Sequence, residues 1–452
     1  YDRWGTYLPE GDFAAAVGAE DFQRKLQLYG GPDATQQWAR LMERIEPLGT
    51  AIFGLPPAAV RMDAWAVLTM GRYAPALLRV LVAGGASLEQ PFSRILEEER
   101  ITDRFILNWL DMICFLLQGA TTENAPTTLM AYMLSDFYRP GVCLDFPRGG
   151  TKAIVEALVR GVKKHPGCEL RLNAPVERLL VEQGRAVGVQ VEGGGTIRAR
   201  RAVISNADLW STSRLLAQSE AAPELARELE ERQQAVDRCA SFLHLHIGIS
   251  ADGLPTEPSE EFPAQWAVID DWELGVDAPR NLVLVSMASL IDPSLAPSGC
   301  HVIHAYVPAT EPYEAWEGLD RKSKEYRDRK EEAAEIPDVR KRAKVTLVGS
   351  PLTHERFLRR DRGTYGAFVK AGSGQLPQGK TVLPGLFCVG DSTFPGIGMP
   401  AGKRPIFERP FCYSVLPTGF PCLAVVAASG LLAANSVVSV LDHWRMLDRI
   451  RL

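Results

Sequence analysis

Apolar residues recur at spacings of three and four through much of the first part of the chain. This period places apolar side chains on one face of an α-helix, so the segment from Phe13 to Gln118 is expected to be mostly helical. Pro126 suits the first turn of one more helix, which follows it. The predicted helices cover residues 38–52, 58–83, 101–118 and 127–137.

The predicted helix at residues 101–118 is apolar over a broad face. Such a face is typical of a helix in a protein core, and it would also suit the wall of an apolar tunnel or a surface that dips into a bilayer. Arg104, Asn108 and Asp111 interrupt the apolar pattern. We therefore expect this helix to lie in the core.

From Phe146 onward the pattern changes to short apolar runs separated by turns. An amphipathic helix is predicted over residues 151–164, and glycine turns at 183–184 and 193–195 separate the runs that follow it. The predicted strands cover residues 169–172, 176–181, 186–191, 196–201, 203–205, 241–249, 264–269, 282–287 and 302–307. The last four would form the sheet of a second domain, so the chain is expected to be an α/β protein with an α+β part.

A short apolar run near the C-terminal end closes in glycine and aspartate. Residues 386–389 have the length of a strand buried on both faces, and Gly390 lets another group approach the backbone. Asp391 follows at the carboxyl end of the strand, where open α/β sheets bind ligands and where a carboxylate can accept hydrogen bonds from polyol hydroxyls. Gly396 and Gly398 would carry the chain past a flat ring system. Glycine followed by aspartate also occurs in turns that bind nothing.

The run from Gly385 to Gly398 resembles the C-terminal flavin signature of the carotenoid isomerase and phytoene desaturase family of FAD proteins, which is part of the amine-oxidase-like flavoproteins. The likeness is greater to the isomerase-like branch than to the desaturases. Segments with the same likeness are residues 4–13, 146–150, 203–207 and 351–360. The resemblance therefore extends over nearly the whole chain.

This resemblance implies that FAD is the cofactor and that the fold contains an FAD-binding domain of the amine-oxidase and phytoene desaturase type. It implies a backbone contact from Val176 to the adenine, and it places Asp391 on the ribityl chain. The helix after Gly398 would present its positive end to an anionic reduced flavin. No catalytic side chain is assigned, because no acid–base pair or activated nucleophile stands out. The expected cofactor-binding residues are Val176, Gly390, Asp391, Gly396, Ile397, Gly398 and Met399.

The resemblance also divides the chain into domains. Residues 1–142 and 211–380 would supply the helices and the sheet of a substrate domain, whereas 143–210 and 381–452 would belong to the FAD-binding domain. In the family a dinucleotide-binding βαβ unit precedes the segment where this chain starts, and no Gly-x-Gly-x-x-Gly occurs in its first hundred residues, so we expect a fragment without that unit. Residues 402–425 have no family counterpart, and their four prolines forbid a continuous helix, so an insertion is expected there.

Composition narrows the classes of partner. A net charge of −5 offers no concentrated basic surface, so nucleic acid is not expected as a ligand. The eight cysteines include no Cys-x-x-Cys pair and are expected to be mostly small core residues. The uncharged run at residues 422–441 approaches the length of a membrane span, but its polar residues, such as Asn435, favour a buried helix.

His244 and His246 would lie on one face of a strand, at a spacing that can chelate a metal ion. A metal site needs a third ligand. His301 and His304 are three positions apart on another predicted strand, so they would point to opposite faces. No metal site is therefore expected.

Three functions remain open. The resemblance implies an FAD-dependent cis–trans isomerase of a long apolar polyene, in which reduced flavin acts without net redox change. The alternatives are a carotenoid or retinoid desaturase or saturase, and a non-catalytic remnant or binding protein. Because such polyenes dissolve only in lipid, the resemblance also suggests a plastid location at a membrane surface.

Overall fold

The computed structural model describes residues 3–16, 18–53, 61, 63–84, 89–139, 146–219, 227, 229–231, 233, 236–333, 341–369, 371–372, 379–390, 393 and 430–450. The chain divides into two compact units. Unit 1 consists of Tyr1–Lys25, Pro140–Asn173 and Cys239–Tyr365, and unit 2 consists of Leu26–Arg139, Ala174–Arg238 and Gly366–Leu452. A division by compactness assigns no role to a segment, so the domain division expected from the sequence stays a prediction.

The described segments contain both strands and helices. The strands are β1 (Arg3–Leu8), β2 (Gly11–Ala16), β3 (Val176–Glu182), β4 (Arg185–Val191), β5 (Thr196–Arg198), β6 (Val203–Ser205), β7 (Val236–Arg238), β8 (Ser241–Ser250), β9 (Gln265–Ile269), β10 (Leu282–Ser286), β11 (Cys300–Glu311), β12 (Ala343–Gly349), β13 (Ala367–Val369) and β14 (Leu386–Cys388). The helices are α1 (Ala19–Tyr29), α2 (Ala34–Phe53), α3 (Ala66–Gly71), α4 (Ala74–Gly84), α5 (Phe92–Glu98), α6 (Arg104–Gln118), α7 (Thr127–Phe137), α8 (Gly150–Lys163), α9 (Leu209–Ala217), α10 (Lys324–Ala333), α11 (Pro351–Leu358) and α12 (Val440–Ile450). Residues 430–437 are also helical.

A seven-stranded mixed sheet forms the centre of unit 1, in the order β12-β8-β11-β10-β9-β1-β2. The four strands predicted between residues 241 and 307 are confirmed as β8 to β11. Residues 13–16, which were expected to be helical, instead belong to β2. The reason is that β2 pairs along its length with β1, in which Trp4, Thr6 and Leu8 are buried, and this pairing makes residues 13–16 part of a strand.

One face of β8 forms much of the core of unit 1. Leu243, Leu245, Ile247 and Ile249 alternate along the strand and are all buried, whereas the intervening residues are less buried. Three of these side chains pack in a cluster with residues of β9 and β11, among them Trp266. The other face of β8 is therefore free to bear polar and aromatic side chains.

Helices α2 to α7 belong to unit 2, and α6 lies in its core. Ile106, Trp109 and Leu110 are at most 1% exposed, so the expected core position of this helix is confirmed. Asp103 caps its first turn by accepting a hydrogen bond from the Ile106 N–H. The buried position of α6 means that its polar side chains need hydrogen-bond partners. The partner of Asp111 lies in the loop that follows the helix.

Asp111 accepts hydrogen bonds from the backbone N–H and the hydroxyl of Thr122, at 2.8 and 2.7 Å. The long helix predicted over residues 58–83 is wrong in two respects. Residues 63–65 are not helical, and α3 begins only at Ala66. Within its described part the helix stops at Gly71, the chain turns at residues 72–73, and α4 starts at Ala74. Apolar spacing continues across this turn, so the pattern alone did not reveal it.

Unit 2 also contains three small sheets, namely β3-β4-β5, the parallel pair β14-β6 and the antiparallel pair β13-β7. Gln183 and Gly184, between β3 and β4, both have positive φ, as a tight hairpin turn requires.

The strand predicted at residues 169–172 is wrong, since this exposed segment has no strand structure. Its alternating residues find no neighbouring strand within the described part of the chain.

Among the described helices, none combines the length and the apolar character that crossing a membrane requires. The uncharged run at residues 422–441 is described only from residue 430 onward. Its helical part at 430–437 ends before α12 begins at Val440. Leu432, Ala433 and Asn435 are buried, which agrees with the expected buried helix.

Candidate cofactor-binding site

Two parallel strands of unit 2, β6 and β14, end at the same edge. Leu386 pairs with Val203, and Cys388 pairs with Ser205. The Val389 N–H continues the ladder by donating to the Ser205 carbonyl at 2.8 Å. Because ligands of open α/β sheets bind beyond the carboxyl ends of strands, the residues that follow these two strands are the candidate binding residues.

Gly390 follows β14, and Asn206 follows β6. Gly390 has a φ of 108°, where side chains are rare, and a Cβ atom there would lie 2.7 Å from Asn206 Oδ1. The Thr393 hydroxyl donates to the Gly390 carbonyl at 3.0 Å and turns the chain after the strand. Glycine at this position is therefore favoured by its backbone conformation, independent of any ligand.

A second glycine, Gly385, is required at the start of β14. Its φ is 83°, and a Cβ atom there would lie 2.8 Å from the carbonyl oxygen of Ala186. On either side of this contact, the Pro384 carbonyl accepts from the Ala186 N–H at 2.9 Å and the Gly385 carbonyl accepts from the Val203 N–H at 2.8 Å. Gly385 thus allows the Ala186 backbone to approach at the start of β14, and Gly390 allows the Asn206 side chain to approach at its end.

The turn from β6 into α9 is held by polar side chains. Asp208 is buried, and it accepts hydrogen bonds from the backbone N–H and the hydroxyl of Ser211 at 2.7 and 2.9 Å. The hydroxyls of Ser205 and Thr212 are hydrogen-bonded at 2.8 Å. Asn206 is exposed between these residues, so its amide is accessible to a ligand at the strand edge.

Sequence reasoning did not assign a role to Asn206 or Asp208. A signal was present, because an aspartate directly before an apolar run marks a helix start, and Asp208 precedes Leu209. Nothing in the local sequence indicated that Asn206 would contact Gly390, since this contact depends on the pairing of β6 with β14.

Val176 begins β3 and pairs with Val191 of β4. It therefore lies in a different sheet from β14, the strand that Gly390 follows, within the same unit. The Pro175 carbonyl next to it accepts from the Glu192 N–H at 2.8 Å. The contact between Val176 and an adenine stays a prediction.

The other expected cofactor-binding residues, Asp391, Gly396, Ile397, Gly398 and Met399, lie outside the described residues, as does the expected insertion at 402–425. Their contacts with a flavin stay predictions. The described residues at this strand edge have the chemical character of an FAD-binding edge. It offers a strand end without a side chain at Gly390 and an exposed amide at Asn206, beyond the carboxyl ends of two parallel strands.

Residues 127–247 match the family described as FAD binding domain, which confirms the expected fold and indicates FAD as the cofactor. The chain is 33% identical over 313 residues to the chloroplastic prolycopene isomerase of Daucus carota, covering 66% of this chain and 48% of that protein. It is 29% identical over 312 residues to the zeta-carotene-forming phytoene desaturase of Myxococcus xanthus, covering 62% of this chain and 54% of that protein. The chain therefore spans about half the length of the curated relatives it matches.

Among solved structures, putrescine oxidase bound to putrescine is similar, with a TM-score of 0.49 and 14% sequence identity. This similarity covers 99% of the chain and 81% of the oxidase.

Proposed function

Because the chain is related in sequence to the carotenoid isomerase and phytoene desaturase family of FAD-dependent enzymes, we propose that it forms part of an FAD enzyme that modifies a carotenoid. The narrower proposal is cis–trans isomerisation of a long apolar polyene without net oxidation. The observation that carries it is the greater likeness to the isomerase, at 33% identity over 313 residues, than to the desaturase, at 29% over 312 residues.

FAD, when bound, supplies reversible electron or hydride exchange with a conjugated chain. The described residues would contribute to binding rather than to proton transfer. The Asn206 side chain can donate a hydrogen bond from its NH2 group or accept one at its amide oxygen. Gly390 has no side chain that would block the strand edge. Rotation about a double bond requires no net transfer of a proton to or from the substrate. This agrees with a sequence in which no acid–base residue stands out.

The test is the conversion of a poly-cis carotene in lipid vesicles by the purified chain reconstituted with reduced FAD, without oxygen. We expect the product to have a shifted absorption spectrum and an unchanged molecular mass, with no electron acceptor consumed. The matched control contains the same chain with oxidised FAD.

A product lighter by two hydrogens, formed only with an electron acceptor, would replace the isomerase with a desaturase. A chain that retains no flavin absorbance and converts no carotene would support the non-catalytic binding protein instead.

The apolar substrate leads us to propose a lipid surface as a partner of unit 2. Val67 on α3 and Leu78 and Val82 on α4 are 82%, 61% and 76% exposed, which would suit contact with lipid. In sedimentation with lipid vesicles, Leu78→Ser and Val82→Ser should together reduce the bound fraction. Leu28→Ser, at a site that is 70% exposed on α1, should leave the bound fraction unchanged. If the double variant and Leu28→Ser lower the bound fraction equally, α3 and α4 do not form the lipid-binding surface.

The chloroplastic relatives of plants also lead us to propose a plastid location for the protein. A fluorescent fusion of the full-length protein in leaf cells tests it, and fluorescence outside the plastids would contradict it.

A further inference from the structure

Three histidines meet on one face of the sheet of unit 1. His244 and His246 alternate on β8 and so share a face, and His304 of β11 lies directly opposite His246 in the strand register. His301 points to the opposite face, as expected, where it is buried and contacts the Ser289 hydroxyl. The sequence supplied the two-residue spacing on β8. It could not supply the register that brings in His304 from 60 positions beyond His244.

The ring nitrogens of the three histidines are close enough for one ion. One nitrogen from each lies within 4.8 Å of the others, and His244 Nδ1 and His304 Nε2 are hydrogen-bonded at 2.7 Å. In a tetrahedral zinc site with Zn–N bonds of about 2.0 Å, ligand nitrogens are about 3.3 Å apart. The hydrogen-bonded pair is closer than this value, and the 4.8 Å limit on the other separations lies above it. The His246 and His304 rings are parallel, with their centroids 4.4 Å apart, so the His246 ring has to turn to direct a nitrogen at an ion that replaces the hydrogen bond between His244 and His304.

A fourth imidazole lies beside the three. The His354 ring, on α11, is 4.9 Å from the His244 ring between centroids. Its Nε2 atom is buried and has no hydrogen-bond partner within the described part of the chain. An unpaired buried nitrogen is rare in proteins and calls for an explanation, and an absent ligand is one.

Gly349 of β12 leaves space between His354 and His244. It lies opposite His244 in the register, and a Cβ atom there would be 3.4 Å from His244 Cβ and 3.8 Å from His354 Nε2. The three-histidine face therefore adjoins a gap that His354 borders. A further ligand of a bound ion fits in this gap only if it is small, since a Cβ atom at Gly349 would already contact both histidines.

The imidazoles are neutral at pH 7. Burial, together with the neighbouring histidines, lowers the pKa of His244 to about 2 and that of His304 to about 3. Burial also lowers the pKa of His246, which is the exposed member of the three. A neutral imidazole keeps one unprotonated nitrogen, which is the form that binds a metal ion.

Burial, Arg360, His246 and Lys330 lower the pKa of His354 to about 4. The three histidines on the strands are the primary ligands, because their nitrogens lie within 4.8 Å of one another. We propose that His244, His246 and His304 bind one divalent late transition-metal ion of the Zn²⁺ class, with His354 beside the open position. Nitrogen-only ligation by imidazoles suits zinc, copper and nickel and is poor for magnesium or calcium. This inference does not depend on the proposed function.

The test uses the chain without added tag histidines, stripped with a chelator and then titrated with Zn²⁺ and, separately, with Co²⁺. We expect one Zn²⁺ per chain, visible Co²⁺ absorption bands of a low-coordinate site and a higher unfolding midpoint with Zn²⁺. Loss of an outer-shell partner typically weakens metal binding by about 10- to 100-fold, so loss of a ligand in His246→Ala should weaken it at least about 10-fold. His304→Gln should act in the same direction.

His165→Ala is the matched control, since His165 is exposed, lies in the same unit and is outside the cluster. It should leave the affinity for Zn²⁺ unchanged. His246 is exposed, so His246→Ala should fold, which circular dichroism of the metal-free chain checks, and it decides the question if His304→Gln does not fold. Absence of stoichiometric Zn²⁺ binding in the unaltered chain, or equal affinities in His246→Ala and His165→Ala, would overturn the site.

Discussion

The strand edge of unit 2, formed by Gly390 and Asn206, and the histidine face of unit 1 are built in opposite ways. At the strand edge the deciding feature is a missing side chain, because Gly390 makes room for the amide of Asn206. At the histidine face the deciding features are side chains, which β8, β11 and α11 bring together. The first arrangement depends on backbone conformation, and the second depends on which residues stand opposite each other.

This difference predicts two kinds of failure. A side chain added at the strand edge meets neighbouring backbone or side-chain atoms in a conformation that favours glycine, so stability should fall before any ligand is considered. A histidine removed from the cluster leaves the sheet hydrogen bonds intact, so ligand binding should fall first. The variants below test that contrast, beginning with the largest expected effect.

Gly385→Ala should destabilise the chain most. Its φ of 83° is unfavourable for alanine, and the new Cβ atom would lie 2.8 Å from the backbone oxygen of Ala186, which cannot rotate away. We expect the free energy of unfolding to fall by about 2 to 4 kcal/mol, measured by urea denaturation.

Gly194→Ala is the matched control for this variant. Gly194 has nearly the same φ, 87°, but a Cβ atom there would meet nothing within 4 Å. It should therefore show only the conformational cost, about 1 to 2 kcal/mol. If both variants lose the same free energy of unfolding, the close approach of β4 to Gly385 does not affect stability.

Gly390→Ala should have a smaller effect on stability and a larger one on the cofactor. Its Cβ atom would lie 2.7 Å from Asn206 Oδ1, and this side chain can rotate away, so we expect a loss of about 1 to 2 kcal/mol from the backbone conformation. Displacing the Asn206 amide should lower the amount of FAD retained per chain, measured by absorbance after gel filtration.

Asn206→Ala completes a double-mutant cycle with Gly390→Ala. The double variant should be no less stable than Gly390→Ala alone, because the clash is gone. Its FAD content should equal that of Asn206→Ala. A double variant with losses that simply add would show that the two residues do not interact.

The sequence predicted well those elements whose boundaries are marked locally. Helix α7 is found over the predicted residues, Thr127–Phe137, since Pro126 marks its start, and β6 is found at Val203–Ser205. The strand expected at 169–172 failed, because two apolar residues in a short polar run do not create a neighbouring strand for pairing. The local sequence pattern indicates which structure a segment can form. Pairing with another strand decides whether a strand is formed.

The two sites show the same limit. The residues of β14 and its glycines are consecutive, so Gly390 could be singled out from the sequence, whereas its neighbour Asn206 could not. At the histidine face, the spacing of His244 and His246 was visible, and His304 was dismissed because it was judged by its distance from His301 rather than by its register with β8. Register across distant strands is set by tertiary packing and has no short-range signal.

The smallest change in stability is expected at Gly349, where a methyl group would enter the space beside the histidines. Its Cβ atom would meet His244 Cβ at 3.4 Å and His354 Nε2 at 3.8 Å, which are ordinary contacts. Alanine also restricts the unfolded chain, so the free energy of unfolding of Gly349→Ala should rise, by less than about 1 kcal/mol. If His354 borders the bound ion, the affinity for Zn²⁺ should nevertheless fall by about 10-fold, as it does when outer-shell groups are altered.

Gly248→Ala is the control for this last variant, because it adds a methyl group to the same sheet, 3.8 Å from Val345 Cβ. It should change the affinity for Zn²⁺ less than Gly349→Ala does, measured by competition with a chromophoric chelator. Equal affinities in the two variants would remove His354 from the surroundings of the ion. The face would then act through His244, His246 and His304 alone, so that strand register, without any contribution from α11, would be sufficient to build the site.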